Sequence, residues 1–244
     1  MKKILLTSLI PIFLVGGCAD ILNNELYKET VIAFTFDDAH FSIFHNAYPI
    51  MQEFEFAATN YIHTGAVNTE QHLTLTELHI LEDEGDWETG GHTINHVNLT
   101  HISLEKAEAE IGGCWQFLKD NNLKHNSFAL PSGHTNAEVT KIIRKYFNSI
   151  RQSEDYKMKC PLDRYSLGYY YASNTDGSEK IIGRILRGIV NHECLVIIGF
   201  HRVCEDKASH PRAITPQEFR EIMEFVKDRS LRVMTISKAI VNSV

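Results

Sequence analysis

The chain has 244 residues, 43% of them hydrophobic, enough for one domain with a sizeable core. Its 31 acidic residues outnumber 24 lysines and arginines, the net charge is -7, and no basic run or arginine-rich helix is present. That balance excludes nucleic acid as a main partner and favours a neutral or cationic substrate.

Lys2 and Lys3 precede an apolar stretch from Ile4 to Val15, broken only by Thr7, Ser8 and Pro11. It is too short to span a bilayer and reads as a signal peptide over residues 1–17. Leu14-Val15-Gly16-Gly17-Cys18 resembles a bacterial lipobox, in which cleavage before the cysteine leaves a lipidated Cys18. The alternative is an ordinary secretory signal with a cysteine beside its cleavage site. Residues 18–29 then form a polar tether and 30–244 the domain, an exported, envelope-anchored protein expected to act as a monomer, or a secreted one if Cys18 carries no lipid. Four further cysteines, Cys114, Cys160, Cys194 and Cys204, allow three disulfide pairings in an oxidising compartment, or remain as free buried thiols.

Val31-Ile32-Ala33-Phe34-Thr35-Phe36 is a short, almost wholly apolar run, as in a strand covered on both faces. A helix is predicted over Asn46 to Phe54 and a strand over Ala57 to His63. Thr74-Leu75-Thr76-Glu77 is a capping box that opens a helix ended by Gly85. From Ser103 to about Asp120, Ala107, Ile111, Cys114, Trp115 and Leu118 make one helical stripe, with acidic residues in the first turn. A short strand at Ser127 to Leu130 is followed by helices at Asn136 to Tyr146 and Ser178 to Val190, the latter turning Ile181, Ile182, Ile185, Leu186 and Ile189 inward. Leu195 to Phe200 is another buried strand. Thr215-Pro216-Gln217-Glu218 opens the last helix with a second capping box and proline at its first position, before a strand from Leu231 to Ile236.

Strands alternating with helices imply parallel pairing, hence a barrel or a doubly wound sheet. Asp37-Asp38, the His92 loop, the Pro131-Ser132-Gly133 loop and His201 all fall just after strands, where barrels gather their reactive groups. A barrel is therefore preferred. Asp37 and Asp38 repel each other if both ionise in a cleft, so a cation or a shared proton is needed there. His92-Thr93-Ile94-Asn95-His96 offers two imidazoles to complete a cation site. Three protein ligands with an open position mark catalytic rather than structural zinc.

Thr-Phe-Asp-Asp at 35–38 and His-Thr-Ile-Asn-His at 92–96, in this order after an apolar strand, resemble the first two motifs of the polysaccharide deacetylases that share the nodulation-protein B homology domain, carbohydrate esterase family four. The resemblance runs from about Val31 to the C-terminus. It implies a distorted (β/α) barrel of about seven parallel strands in a single domain, with Asp38, His92 and His96 as metal ligands and Asp37 as catalytic base. The ion is expected to be Zn2+, with Co2+, Fe2+ or Ni2+ also compatible with two His and one Asp. The family's Arg-x-Pro-Tyr-Gly is here Ala129-Leu130-Pro131-Ser132-Gly133, so the arginine that holds the base ionised is missing. The pKa of Asp37 should rise unless another cation takes over, with Arg151 a candidate. Pro131 and Ser132 match the oxyanion and substrate positions, a backbone N–H role that does not need the Ser132 side chain. The Asp-x-x-Asp-Trp motif is missing; Tyr169-Tyr170-Tyr171 stands near its place, either as core or as a sugar-stacking surface. Leu195 to His201 resembles the last motif, with Arg202 where the family has aspartate, and makes His201 the catalytic acid.

The resemblance implies hydrolysis of the N-acetyl group of an amino sugar in an N-acetylated polysaccharide. O-acetyl esterase activity on a glycan is an alternative, since an alkoxide needs weaker acid help on departure. A catalytically decayed glycan-binding lipoprotein is another, raised by Ala129, Arg202 and the missing motif. The sequence leaves the glycan open.

Overall fold

The computed structural model describes residues 29–152 and 158–241; the signal peptide, Cys18 and nearly all of the tether lie outside them. Strand β1 (Val31–Asp37) is buried along all 7 residues because it lies at the centre of the sheet. On one side it pairs with β7 (Leu195–Phe200) from Val31 to Phe36. On the other side β10 (Arg232–Val233) takes the first half of its edge and β2 (Thr59–Ile62) the second. Beyond β2 follow β3 (Glu88–Gly91), β4 (Ser127–Ala129) and β5 (Ser149–Arg151); beyond β7 lies β6 (Tyr170–Tyr171). Every one of these pairings is parallel, and the strands curl into a half-barrel.

One segment laces the two edges together. Leu167 bridges Arg151 in parallel, with Leu167 N–H donating to Ile150 O and Gln152 N–H to Leu167 O, and four residues later Tyr171 pairs with Gly199 on β7. The Cys160–Cys194 disulfide ties the same connection to the start of β7, which answers the pairing the sequence left open; Cys114 and Cys204 are free.

The helices are α1 (Tyr48–Glu53), which continues a π-helical turn over Ile43–Ala47, α2 (Leu75–Asp83), α3 (Leu104–Asp120), α4 (Ala137–Tyr146), α5 (Ser178–Val190) and α6 (Pro216–Asp228); α2, α3, α4 and α6 begin at side-chain caps. Thr74 and Thr215 form reciprocal capping boxes with Glu77 and Glu218, and Ser103 and Asn136 accept from the N–H groups of Lys106 and Val139. Ile181, Ile185 and Ile189 of α5 are buried, whereas Ile182 and Leu186 are only partly covered. The alternation of side chains along a strand splits the interior in two. Ile32, Phe34 and Phe36 face the helices, where Phe36 stacks on Trp87 at 5.2 Å between ring centroids. Val31 and Ala33 face the lumen, with Tyr61, Ala129, Tyr169 and Ile197. Asp37 has the lumen parity, and so has Arg151 on β5.

The strand predicted over Leu231 to Ile236 is a correction: only Arg232–Val233 pair, and Ile236 starts a helix, α7 (Ile236–Val241). The apolar run plugs the lower end of the lumen instead of extending the sheet, placing Ile236, Ala239 and Ile240 in the inner cluster. Buried Glu88 anchors this plug by accepting from Ser127 Oγ at 2.6 Å, Ser237 Oγ at 2.6 Å and Ser237 N at 2.9 Å.

Glu88→Ala leaves those donors without a partner and is expected to lower the unfolding free energy by about 2–3 kcal/mol, read from denaturant titration. A loss below about 0.5 kcal/mol would contradict this account of how α7 is held.

Candidate active site

Five non-glycine residues in the loops that follow β1, β3 and β4 have left-handed backbone. Asp38 has φ 71°, Ala39 φ 53°, Thr93 φ 69°, His96 φ 55° and Ser132 φ 58°. Such conformations cost non-glycine residues free energy and persist where the surroundings hold them. Here Glu110 of α3 accepts from Ile94 N at 3.0 Å and Asn95 N at 2.9 Å, clamping the loop that carries both histidines. From the other side Gly65 N–H donates to Ile94 O at 2.9 Å, an approach that a Cβ at 2.8 Å from that oxygen would block.

The turn after β1 sends the two aspartates apart. Asp38 Oδ1 lies 3.6 Å from His92 Nε2 and 3.2 Å from His96 Nε2. His92 Nδ1 is 2.8 Å from Ala129 O, an acceptor only, so Nδ1 carries the hydrogen and the Nε2 lone pair faces Asp38. Burial pushes the His92 pKa down to about 4 despite Asp37 and Asp38, keeping the ring neutral. Asp38 Oδ1 is buried and has no hydrogen-bond partner, and the three ligand atoms lie within 4.8 Å of one another. A bare carboxylate oxygen facing two imidazole nitrogens fits a divalent cation.

Asp37 is held differently. Burial opposes its charge, but Arg151 Nη2 at 2.8 and 2.7 Å from the two carboxylate oxygens outweighs that, aided by His201 and His92, and the pKa falls to about 2. Arg151 therefore supplies the cation that Ala129 removed. It is itself fixed between rings, with its guanidinium carbon 3.7 Å from the centroid of Tyr169 and 4.9 Å from that of Tyr61. Gly199 makes room: a Cβ there would lie 2.5 Å from the Tyr169 ring and 3.3 Å from Arg151 Nη1.

His201, directly after β7, has Nε2 3.6 Å from Asp37 Oδ2 and 4.0 Å from Asp38 Oδ2. Arg212 Nη1 lies 2.8 Å from the same Nε2, and because a guanidinium only donates, the neutral ring accepts there and carries its hydrogen on Nδ1. Burial first, then Arg212 and Arg151, push its pKa down to about 4 against the pull of the aspartates.

Leu130, Ser132, Gly133, Tyr169, Tyr171 and Arg212 complete the walls of a cavity of about 50 Å³ over these groups, room for an acetyl-sized fragment. Larger hollows lie elsewhere, up to about 580 Å³ beside Glu53 and Asp86, with none of these ligands, so volume alone does not mark the site. Asp37, Asp38, His92, His96, Ser132 and His201 thus converge, and Pro131 is buried in the turn behind Ser132. Of the tyrosine run, Tyr169 is buried core and Tyr171 is 45% exposed at the rim. Arg212 was not foreseen; a lone arginine between strands carries no sequence signal of its own.

Comparison with known proteins identifies the family and the fold. The family model described as polysaccharide deacetylase matches residues 25–147, which include Asp37, Asp38, His92, His96 and Ser132 but not Arg151, His201 or Arg212. The poly-beta-1,6-N-acetyl-D-glucosamine N-deacetylase of Staphylococcus aureus (strain MRSA252) is 31% identical over 133 residues, 49% of this chain and 46% of that protein. The chain spans less than half the length of the curated relatives it matches. Among solved structures, the Xyl-CE4 domain of a multidomain xylanase from the hindgut metagenome of Trinervitermes trinervoides is similar with a TM-score of 0.61 at 16% identity, covering 88% of this chain and 91% of that one. The Streptococcus pyogenes deacetylase PplD in complex with acetate gives 0.53 at 24% identity, over 56% and 62%. At these identities the likeness establishes the fold.

Arg151→Met is expected to cost about 3–5 kcal/mol of stability at pH 7, because Asp37 is left as a buried, unpaired charge. In the unaltered protein the Asp37 contribution is complete above its ordinary pKa of 3.8 and fades as pH falls towards about 2. In the variant burial is opposed only by His201 and His92 and the pKa rises, so the deficit should narrow between pH 7 and pH 4 as Asp37 takes up a proton. Denaturant titrations across that range in chelator check this; a deficit independent of pH would refute it.

Proposed function

Since this chain belongs to the polysaccharide deacetylase family, we propose that it hydrolyses the N-acetyl groups of amino sugars in a polysaccharide with the help of a divalent metal. The observation that carries the reading is the division of labour between neighbouring carboxylates: Asp38 offers an unpartnered oxygen to the imidazoles of His92 and His96, while Arg151 keeps Asp37 ionised beside it.

Asp38, His92 and His96 hold the ion, with zinc favoured and cobalt, iron or nickel compatible. When bound, it polarises an acetyl carbonyl and acidifies water towards a pKa of about 7. Asp37, ionised at any physiological pH, takes the proton of the attacking water. Negative charge growing on the carbonyl oxygen is met by the Ser132 N–H at the turn behind Pro131. His201 protonates the departing nitrogen. With its pKa near 4 it holds no spare proton at neutral pH, so the proton reaches it during turnover, and Asp37 Oδ2 at 3.6 Å from Nε2 is the nearest source. Water's hydroxyl ends on acetate and its proton on the amine.

Hydrolysis of O-acetyl esters is the second reading, favoured by the same low proton affinity of His201, since an alkoxide leaves with less acid help than an amide nitrogen. A decayed binding protein is disfavoured by the buried Asp37–Arg151 pair, which a glycan-binding relic has no use for. The proposed location is the cell envelope, through a leader cut before a lipidated Cys18. The Cys160–Cys194 disulfide supports an oxidising compartment.

Acetate release from N-acetylglucosamine oligomers and from acetylated xylan, each with and without chelator, separates these readings. The N-deacetylase reading expects chelator-sensitive release from the first. Asp37→Asn should retain metal and lose about a hundredfold or more in turnover. Asp38→Ala should lose the metal in elemental analysis, and undiminished metal would remove Asp38 from the ligand set.

A further inference from the structure

Arg212 lines the mouth of the cavity, and among the described residues it has no counter-ion. Arg202 on β8 (Arg202–Val203) and Arg212, just before β9 (Ala213–Ile214), are joined by Arg202 N–H donating to Arg212 O at 3.4 Å. Among the described residues neither guanidinium forms an ion pair, in a chain where acidic residues outnumber basic ones by 31 to 24. Arg144, Arg164 and Arg229 likewise form no ion pair among the described residues and lie over aromatic rings. Arg212 donates to a neutral imidazole, His201, and lies 5.2 Å over the ring of Tyr171.

Tyr171 is 45% exposed and its ring lies within 15° of the plane of Tyr170, giving an aromatic surface open to solvent. Beside it a hollow of about 440 Å³ runs along Ser173, Thr175 and the ion pair of Asp176 with Lys180, and shares Tyr169 and Tyr171 with the catalytic cavity. A glycan whose acetyl group enters the cavity therefore has a continuous path across Tyr171, with Arg212 beside it.

Resting on the deacetylase reading for the acetylated residue, we propose that the sugar next to it stacks on Tyr171 and carries a carboxylate that Arg212 binds, so that the preferred substrate is an acidic glycan. The overall negative charge of the chain points to a neutral or cationic substrate, but the mouth of the site is locally the reverse. A guanidinium makes stronger, charge-assisted bonds to a carboxylate than to an imidazole nitrogen. Drawing Arg212 onto the substrate also vacates His201 Nε2, the atom that faces Asp37 Oδ2. A neutral glycan leaves Arg212 where it is. Recognition and release of His201 are thus one movement, and the preference should appear in kcat as well as in KM.

The test compares binding of cellobiose with that of its analogue in which one glucose is glucuronate; neither carries an acetyl group. Calorimetric titration of the metal-loaded protein is expected to give at least tenfold tighter binding of the uronate, weakening with salt, and Arg212→Gln should remove most of that difference. Equal binding of the two, binding of neither, or a preference that survives Arg212→Gln would overturn the proposal. Acetate release from N-acetylglucosamine linked to glucuronate or to glucose is followed in parallel. A binding preference with no release from either disaccharide would sink the deacetylase reading alone. Equal release from both with no binding preference would sink this one alone.

Discussion

Two carboxylates side by side at a buried strand end must be neutralised separately or not ionise together. This chain separates them by geometry. The two-residue alternation of β1 carries Asp37 into the lumen beside Arg151, and left-handed backbone at Asp38, φ 71°, turns the next carboxylate to the imidazoles of His92 and His96. One acid is held ionised by a fixed internal cation, and the other keeps a bare oxygen that suits an exchangeable one.

The rest of the upper barrel maintains that separation. Tyr61 and Tyr169 sandwich the guanidinium of Arg151, and Gly199 leaves space for both Tyr169 and Arg151. Ala129 contributes its carbonyl to His92, not a side chain to Asp37. Placing the cation at residue 151 rather than 129 keeps the charge pair while moving its source by one strand, from β4 to β5. Glu110 and Gly65 grip the histidine loop from two sides, which is how Thr93, a β-branched residue, tolerates φ 69°.

Much of this was legible in the sequence where local chemistry repeats a pattern. The apolar runs of β1 and β7, the capping boxes at Thr74 and Thr215 and the spacing of the Asp-Asp and His-x-x-x-His strings each specify their element or candidate ligand group from a few adjacent residues. What escaped depends on partners far along the chain. The strand Glu88–Gly91 has no apolar side chain: its lumen face holds a hydrogen-bonded glutamate, and a Cβ at Gly90 would meet the Tyr61 ring at 2.6 Å. Ile236 reads as strand by its β-branched neighbours but becomes helix because the lumen needs a plug. Arg151 was legible only as the answer to a missing arginine at 129. Arg212 was not legible at all, since only the pairing of two dipeptide strands brings it to His201.

The family model covers residues 25–147, so it takes in Asp37, Asp38, His92 and His96, while Arg151, Tyr171, His201 and Arg212 lie beyond its match. The central claim is that Asp38, His92 and His96 together grip one divalent ion with Asp37 outside its ligand set. Anomalous X-ray diffraction from crystals of the zinc-loaded protein tests it most directly. The account predicts a single strong peak ligated by those three side chains, with Asp37 still paired to Arg151. A peak ligated by Asp37 in place of Asp38, or no peak between the two imidazoles, would contradict it.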